Sequence, residues 1–419
     1  MPVTNSLSQD SQIHLAVVGA GPVGATAALL LAKQGYKVTL IDRQEPQPGP
    51  VGLGMDIRNV ALSPASAELL KGVDAWPQKF AAAYDTMKIW EQWGTNDLLF
   101  NAADVDQPAL GWIVQVAPLL AALWQQIRAQ AEQINVVLGQ VQSIETPSLK
   151  GQLKSQLQGP QGEKVVLVIQ QQDDEQRVTV DLVIAADGAE SVVRKSLGVP
   201  AMLIPTGQMA LTTIVQTANV HENTAWQRFL VDGPLALLPA NDANLCSVVW
   251  SQSEATCQRR LALSDEEFCR ELEHAFESRL GKIQAVAQRQ AFPLRQQLAE
   301  TAMPHPRIVL IGDALRVVHP LAGLGVNLGF EDIAELLKII QVNAHFLLDD
   351  PSSGLNKFAR QRHLRSESML RALDGLKRLY AQDKPAISWL RNAGVGIFNS
   401  QLWLKRQVMR EAMGLSSKQ

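Results

Sequence analysis

Two glycine-rich stretches carry residue types and spacings from which chemistry can be read. The first, Gly19-Ala20-Gly21-Pro22-Val23-Gly24, spaces its glycines as Gly-x-Gly-x-x-Gly. Gly19 permits a tight turn, Gly21 lets backbone approach a pyrophosphate, and Gly24 lets a helix pack closely on the strand before it. A helix starting here turns free N–H groups and its positive dipole end toward phosphate oxygens, which makes Ala20 and Pro22 part of the same cradle. Asp42, 23 residues after Gly19, falls near the roughly 20-residue offset of an acid that binds an adenosine ribose; Arg43 adjoins it. The chemistry these residues suit is dinucleotide binding. The second stretch is Ile311-Gly312-Asp313-Ala314, continuing through His319-Pro320-Leu321-Ala322-Gly323-Leu324-Gly325-Val326-Asn327.

Such a cradle needs a strand before it and a helix after it. Ile13, Leu15, Val17 and Val18 form an apolar, β-branched run suited to a buried parallel strand. Residues 25–34 are rich in Ala and Leu and stop at Gly35, as a helix does. A second apolar run, 38–41, ends at Asp42. Residues 61–70 suggest a helix with Ser63-Pro64 at its start. Residues 87–100 suggest an aromatic hairpin around Gly94-Thr95-Asn96-Asp97, and 118–133 have helical period. Runs at 136–138, 165–169 and 178–185 supply further strands, with 149–162 a polar hairpin tip. From 200 to 300 short strands recur at 211–216, 226–231, 235–238 and 245–250, interrupted by a helix over 264–280 whose Ser264 and Glu267 fit a capping box. Residues 308–311 return to the buried parallel style.

The fold class expected is α/β, α+β overall. Segments 13–80, 118–199 and 301–345 form one discontinuous Rossmann-like domain. A hairpin at 81–117 and a mostly antiparallel domain at 200–300 form a second unit, and 346–419 is helical. A chain of 419 residues, 46% hydrophobic and 19% charged, can bury a sizeable core. A net charge of −3 gives no case for nucleic-acid binding. Cys246, Cys257 and Cys269 show neither metal spacing nor a disulfide framework, so core filling in a reducing compartment is expected, with no metal. The first residues lack a signal-peptide pattern and no stretch approaches the roughly 20 apolar residues of a membrane span, so a cytoplasmic or membrane-peripheral protein is expected. Between Lys357 and Arg410 twelve basic residues face three acids. With Leu402, Trp403 and Leu404 beside Lys405 and Arg406, this suggests a surface for anionic lipid or an acidic partner.

Three motifs in order carry a family resemblance: the Gly-x-Gly-x-x-Gly unit, Asp187-Gly188 within residues 183–194, and Gly312-Asp313. The chain resembles the aromatic-ring hydroxylases of the single-component flavoprotein monooxygenases. Almost over its full length it is similar to the ubiquinone-biosynthesis hydroxylases, through Asp56-x-Arg58, Ala122-Leu123-Trp124, Asp232-Gly233-Pro234, Phe292-Pro293-Leu294 and His319-Pro320-Leu321-Ala322-Gly323. Leu245-Cys246-Ser247-Val248-Val249-Trp250-Ser251 leans toward the branch acting on 2-polyprenylphenol.

The resemblance implies a para-hydroxybenzoate-hydroxylase-like fold, bound FAD, and NAD(P)H as a transient co-substrate. It implies that reduced flavin and O2 give a C4a-hydroperoxide that delivers oxygen to a polyprenylated phenol. It assigns Arg58 to the flavin or its phosphates, Asp187 to the loop that positions NAD(P)H, and Asp313 to a ribityl hydroxyl. Pro320, Gly323 and Gly325 would let backbone lie against the isoalloxazine, while the N–H groups of Val326 and Asn327 stabilise charge on the reduced ring. No catalytic acid or base is assigned; His319 is a positioning residue. Trp90, Trp93, Phe100, Phe229, Leu237 and Trp250 are candidates for an apolar substrate channel. The chain departs from the family where Leu315-Arg316 replaces Ala-His and Leu324 replaces Gln, and Arg316 is expected to bring a fixed positive charge to the flavin loop. Two other readings keep the fold: a hydroxylase of a small soluble phenol, and a non-catalytic FAD-binding subunit of a larger assembly, the latter motivated by Leu315-Arg316 and the basic C-terminal helices.

Overall fold

The computed structural model describes residues 13–92, 97–146, 164–172, 174–318, 324–342, 344–348, 351–380, 399 and 401–415. Five strands pair in parallel in the order Ile134–Leu138, Lys37–Asp42, His14–Val18, Leu182–Ala185 and Ile308–Leu310. They are apolar at successive positions because both faces are covered. Leu15 and Val17 pack into one buried cluster and Ala16 and Val18 into another on the opposite face.

Helix α1 (Pro22–Lys33) follows the first strand, with Pro22 at its start and Gly35 at φ +88° just past its end. Helix α2 (Pro64–Gly72) is capped by Ser63, whose side chain accepts from Ser66 N. It begins later than 61 because residues 59–62 complete the strand Asn59–Leu62. Helix α3 (Val116–Ala129) buries Leu119, Leu123, Trp124 and Ile127 against the parallel sheet. The opposite face is covered by a three-stranded antiparallel sheet, Gln140–Glu145, Val165–Gln170 and Glu175–Val180. The run 178–185 is therefore two strands in different sheets. The break is Asp181, whose carboxylate accepts from His14 N at 2.9 Å and pairs with Lys164. Short helix α4 (Val192–Ser196) follows the Asp187-Gly188 loop.

The second unit is built on a nine-stranded, mostly antiparallel sheet. Its longest strand, Ala201–Thr217, pairs with Leu245–Ser253 on one side and Gln290–Ala299 on the other. Thr224–Leu230 joins the hairpin Thr86–Glu91/Leu98–Asn101 by parallel pairing, the one parallel step in this sheet among the described residues. The helix expected over 264–280 is α6 (Asp265–Ala275), started by the capping box at Ser264 and Glu267 as expected but ending short of 280, and an unexpected helix, α5 (Glu254–Leu261), precedes it. Helices α7 (Leu324–Val342), α8 (Pro351–Tyr380) and α9 (Leu402–Ala412) complete the chain. Among the described residues no helix is long and apolar enough to cross a membrane.

Candidate active site

The carboxyl ends of three adjacent parallel strands deliver the three motifs to one edge of the sheet. Val18 leads into Gly19, Ala185 into Asp187-Gly188, and Leu310 into Gly312-Asp313. In an open α/β sheet this edge is where a ligand binds. The glycines are required by contact. Gly19 has φ +99°, and a Cβ there would lie 2.4 Å from Ala186 O; a Cβ at Gly24 would lie 1.9 Å from Gly19 O. At Gly21 a Cβ would meet nothing within 4 Å, so the backbone opens onto free space at the start of α1. Two residues on, Val23 packs on the third motif: a Cβ at Gly329 would lie 2.6 Å from Val23 Cγ2 and 3.3 Å from Gly312 Cα. The distant glycine stretches are thus in contact.

Asp42 closes the cradle from the next strand. Its Oδ2 accepts from Ala20 N at 2.6 Å and its Oδ1 from Arg43 N at 2.6 Å. The Arg43 side chain is exposed. Arg58 is half-exposed, with its guanidinium 3.8 Å from Asp56 Oδ1. Asp56 itself is buried, accepting from Ala117 N at 2.9 Å and so fixing the first turn of α3. Asp187 Oδ2 accepts from Val193 N at 3.1 Å, while its Oδ1 is buried without a partner among the described residues. Burial pushes the Asp187 carboxyl up, against hydrogen bonds from Ser191 and Val193 that pull it down. Arg194 ties this loop to the third motif, donating to Ala189 O at 2.7 Å and Ala314 O at 2.8 Å.

Asp313 faces a chamber of about 460 Å³. Its side chain is reachable from that space yet enclosed by protein, so loss of solvation pushes its carboxyl up, and Arg316 pulls it down. Gly325, Val326 and Asn327 line the same end of the chamber. Asn327 also pins α7 to α2, because its Nδ2 donates to Ala61 O while its Oδ1 accepts from Ser63 N and Ser66 Oγ. Pro320, Gly323 and His319 lie outside the described residues, as do Trp93 and the hairpin tip at 149–162.

These residues fit an FAD. An open backbone at Gly21, a chamber-facing carboxylate at Asp313 and an orphaned Asp187 oxygen are what its pyrophosphate and polyol would occupy. The comparisons agree. The FAD binding domain family matches residues 12–372. The chain is 33% identical to the 3-demethoxyubiquinol 3-hydroxylase of Escherichia coli, over 96% of this chain and 98% of that one.

The chain belongs to the FAD-dependent aromatic-ring hydroxylases.

A second relative, the ubiquinone hydroxylase UbiL of Rhodospirillum rubrum, is 30% identical over 99% of this chain and 92% of its own. The p-nitrophenol 4-monooxygenase PnpA of Pseudomonas putida shares the fold, with TM-score 0.73 at 18% identity, over 97% of this chain and 99% of that chain.

Two expectations are sharpened by the hydroxylase's structure. Arg316 does bring its charge to the flavin loop, where it pulls the Asp313 carboxyl down, but that charge is buried and paired. It is 2% exposed, and its Nη1 lies 2.7 Å from Asp332 Oδ2. Asp332 is fully buried and also accepts from Gly312 N and Arg362 Nε. The chamber is also lined by other residues than the channel candidates named. Trp90, Leu237 and Trp250 point to the far side of their sheet, where Trp90 meets Trp226 and Phe276 and Trp250 meets Phe268. Phe229 packs against Leu328, Leu370 and Leu373. The chamber takes the alternate positions: Met87 and Ile89, Ala236 and Leu238, Val249 and Ser251. Phe100 does line it.

Asp332, Arg194 and Arg362 had no assigned role. Asp332 carried a signal, since it shares a helix stripe with buried Leu328 and Leu336, where a lone acid requires a buried partner.

Proposed function

We propose that this hydroxylase uses NAD(P)H and O2 to oxygenate the ring of a polyprenylated phenol in ubiquinone biosynthesis. The observation that carries the reading is the chamber. It is lined by Asp313, Gly325 and Val326, by apolar strand residues such as Ile89, Ala236 and Val249, and by Met409 and Met413. A small polar phenol would leave most of that wall uncovered, whereas a prenyl chain gains roughly 25 cal/mol for each Å² it buries there.

Bound FAD would accept hydride from NAD(P)H and activate oxygen. The chain's own groups do the rest. The N–H groups of Gly21 and the first turn of α1 hold the pyrophosphate, Asp42 the adenosine ribose, and Asp313 accepts from the ribityl chain. The first turn of α7, at Gly325 and Val326, offers N–H groups to negative charge on the reduced ring. The side chains of Tyr84 and Gln227 face the chamber without hydrogen-bond partners among the described residues. Burial pushes the Tyr84 hydroxyl up to about 12, so it stays protonated and donates to a phenol oxygen. The apolar wall excludes water, which protects the oxygenating species from unproductive decay. A substrate of this kind partitions into lipid, so the reading includes contact with a membrane or a substrate-carrying complex through the C-terminal helices.

The test gives FAD-loaded protein and NAD(P)H a short-chain 2-prenylphenol and, separately, a demethoxyubiquinol analogue. Phenol-stimulated NAD(P)H oxidation with one oxygen added to the ring supports the reading. Oxidation that neither phenol stimulates sinks it. Tyr84→Phe is expected to lower kcat/KM by roughly tenfold, the worth of one hydrogen bond to the ring oxygen.

A further inference from the structure

Helix α9 has two unlike faces. Its inner face, Val408, Met409 and Ala412 with the following Met413, lines the chamber. Val408 is also 43% exposed, and the chamber it lines is open rather than sealed. The outer face is not that of a soluble helix: Trp403 is 65% and Leu402 45% exposed, next to exposed Arg406 and Arg410.

The charge on that face is one-sided. Lys405 is buried, 3.7 Å from Asp104 and over the Phe100 ring. The acid of the helix, Glu411, is held by Arg365. Arg406 and Arg410 have no ion pair among the described residues. An exposed indole beside unpaired guanidinium groups is the chemistry of a helix lying in the headgroup region of an anionic bilayer. The sequence count overstated this surface: Arg362, Arg365 and Arg371 are engaged with Asp332, Glu331 and Glu367.

We infer that α9 docks on an anionic phospholipid bilayer with the chamber mouth beside it, so that a prenylated phenol passes from lipid to flavin along the helix without crossing water. This rests on the prenylphenol reading and adds the route of entry.

The experiment uses full-length, FAD-loaded protein with phosphatidylcholine vesicles, with and without phosphatidylglycerol. Wild type is expected to co-sediment with the anionic vesicles and far less with the neutral ones. R406E/R410E should weaken that binding by roughly tenfold or more, as should Leu402→Ser with Trp403→Ser. Turnover of a long-chain phenol supplied in anionic vesicles should fall in parallel, while turnover of a soluble short-chain phenol stays at the wild-type level. Absence of binding by wild type, or equal binding by R406E/R410E, overturns the inference and leaves the patch to a protein partner. Failure on the short-chain phenol by wild type would instead sink the function reading, with vesicle binding scored independently.

Discussion

At the residue scale, Asp313 is the most exposed to test. Enclosure pushes its carboxyl up while Arg316 opposes that shift. A ribityl hydroxyl donates only to the ionised form in full strength, so FAD binding favours loss of the proton. FAD affinity should therefore fall as pH drops through the raised carboxyl range of the free protein, and Asp313→Asn should flatten that pH profile. Asp313→Ala should weaken FAD binding by roughly 10- to 100-fold, as expected for a hydrogen bond to a charged group; flavin fluorescence titration reads both effects. Gly19, Gly24 and the Asp42 offset were legible because their roles belong to backbone geometry, which spacing encodes. Arg194 and Arg316 were not, because their partners stand 120 and 16 residues away in sequence.

At the scale of elements, two ion clusters differ in what they hold. Asp332 joins α7 to α8 and to the turn carrying Asp313, all without solvent. Asp332→Ala leaves Arg316 and Arg362 as buried charges, which costs about 3–5 kcal/mol; a lower Tm and weaker FAD retention are expected together. Glu271 joins α5 to α6 and is partly solvated. Arg259 foremost, then Arg260, holds its carboxyl down to about 2 against the opposing effect of burial. Its folded value lies below its unfolded one, so the stabilisation is present above about 4.5 and is lost as pH falls toward 2. Glu271→Gln should cost ~1–2 kcal/mol at neutral pH, discounted for solvent, and the gap to wild type should close in acid unfolding curves. FAD affinity should be unchanged. The start of α6 at Ser264 was legible from its capping box, whereas α5 was missed because only Cys257 of it is buried, which leaves no apolar stripe to read.

For the whole molecule, the proposed function rests on the chamber as the substrate site. Ala236→Trp would fill it from the central strand and should raise KM for long-chain phenols by roughly tenfold or more while short-chain phenols are turned over; a chain-length series measures this. The parallel sheet, the motif order and the α/β class were readable because buried parallel strands are apolar throughout and end in glycine. The chamber face was not. Residues 233–239, Gly-Pro-Leu-Ala-Leu-Leu-Pro, are apolar on both sides, and where both faces are dry a period of two says which residues go together but not which set sees the ligand.

That strand has a consequence for how such an enzyme diverges. Leu235 and Leu237 anchor it to α5 and α6, while Ala236 and Leu238 face the chamber. On the proposed function, exchanges at the even positions would alter appetite and leave the scaffold untouched, so that relatives sharing this strand could specialise on different ring substitutions one methyl group at a time.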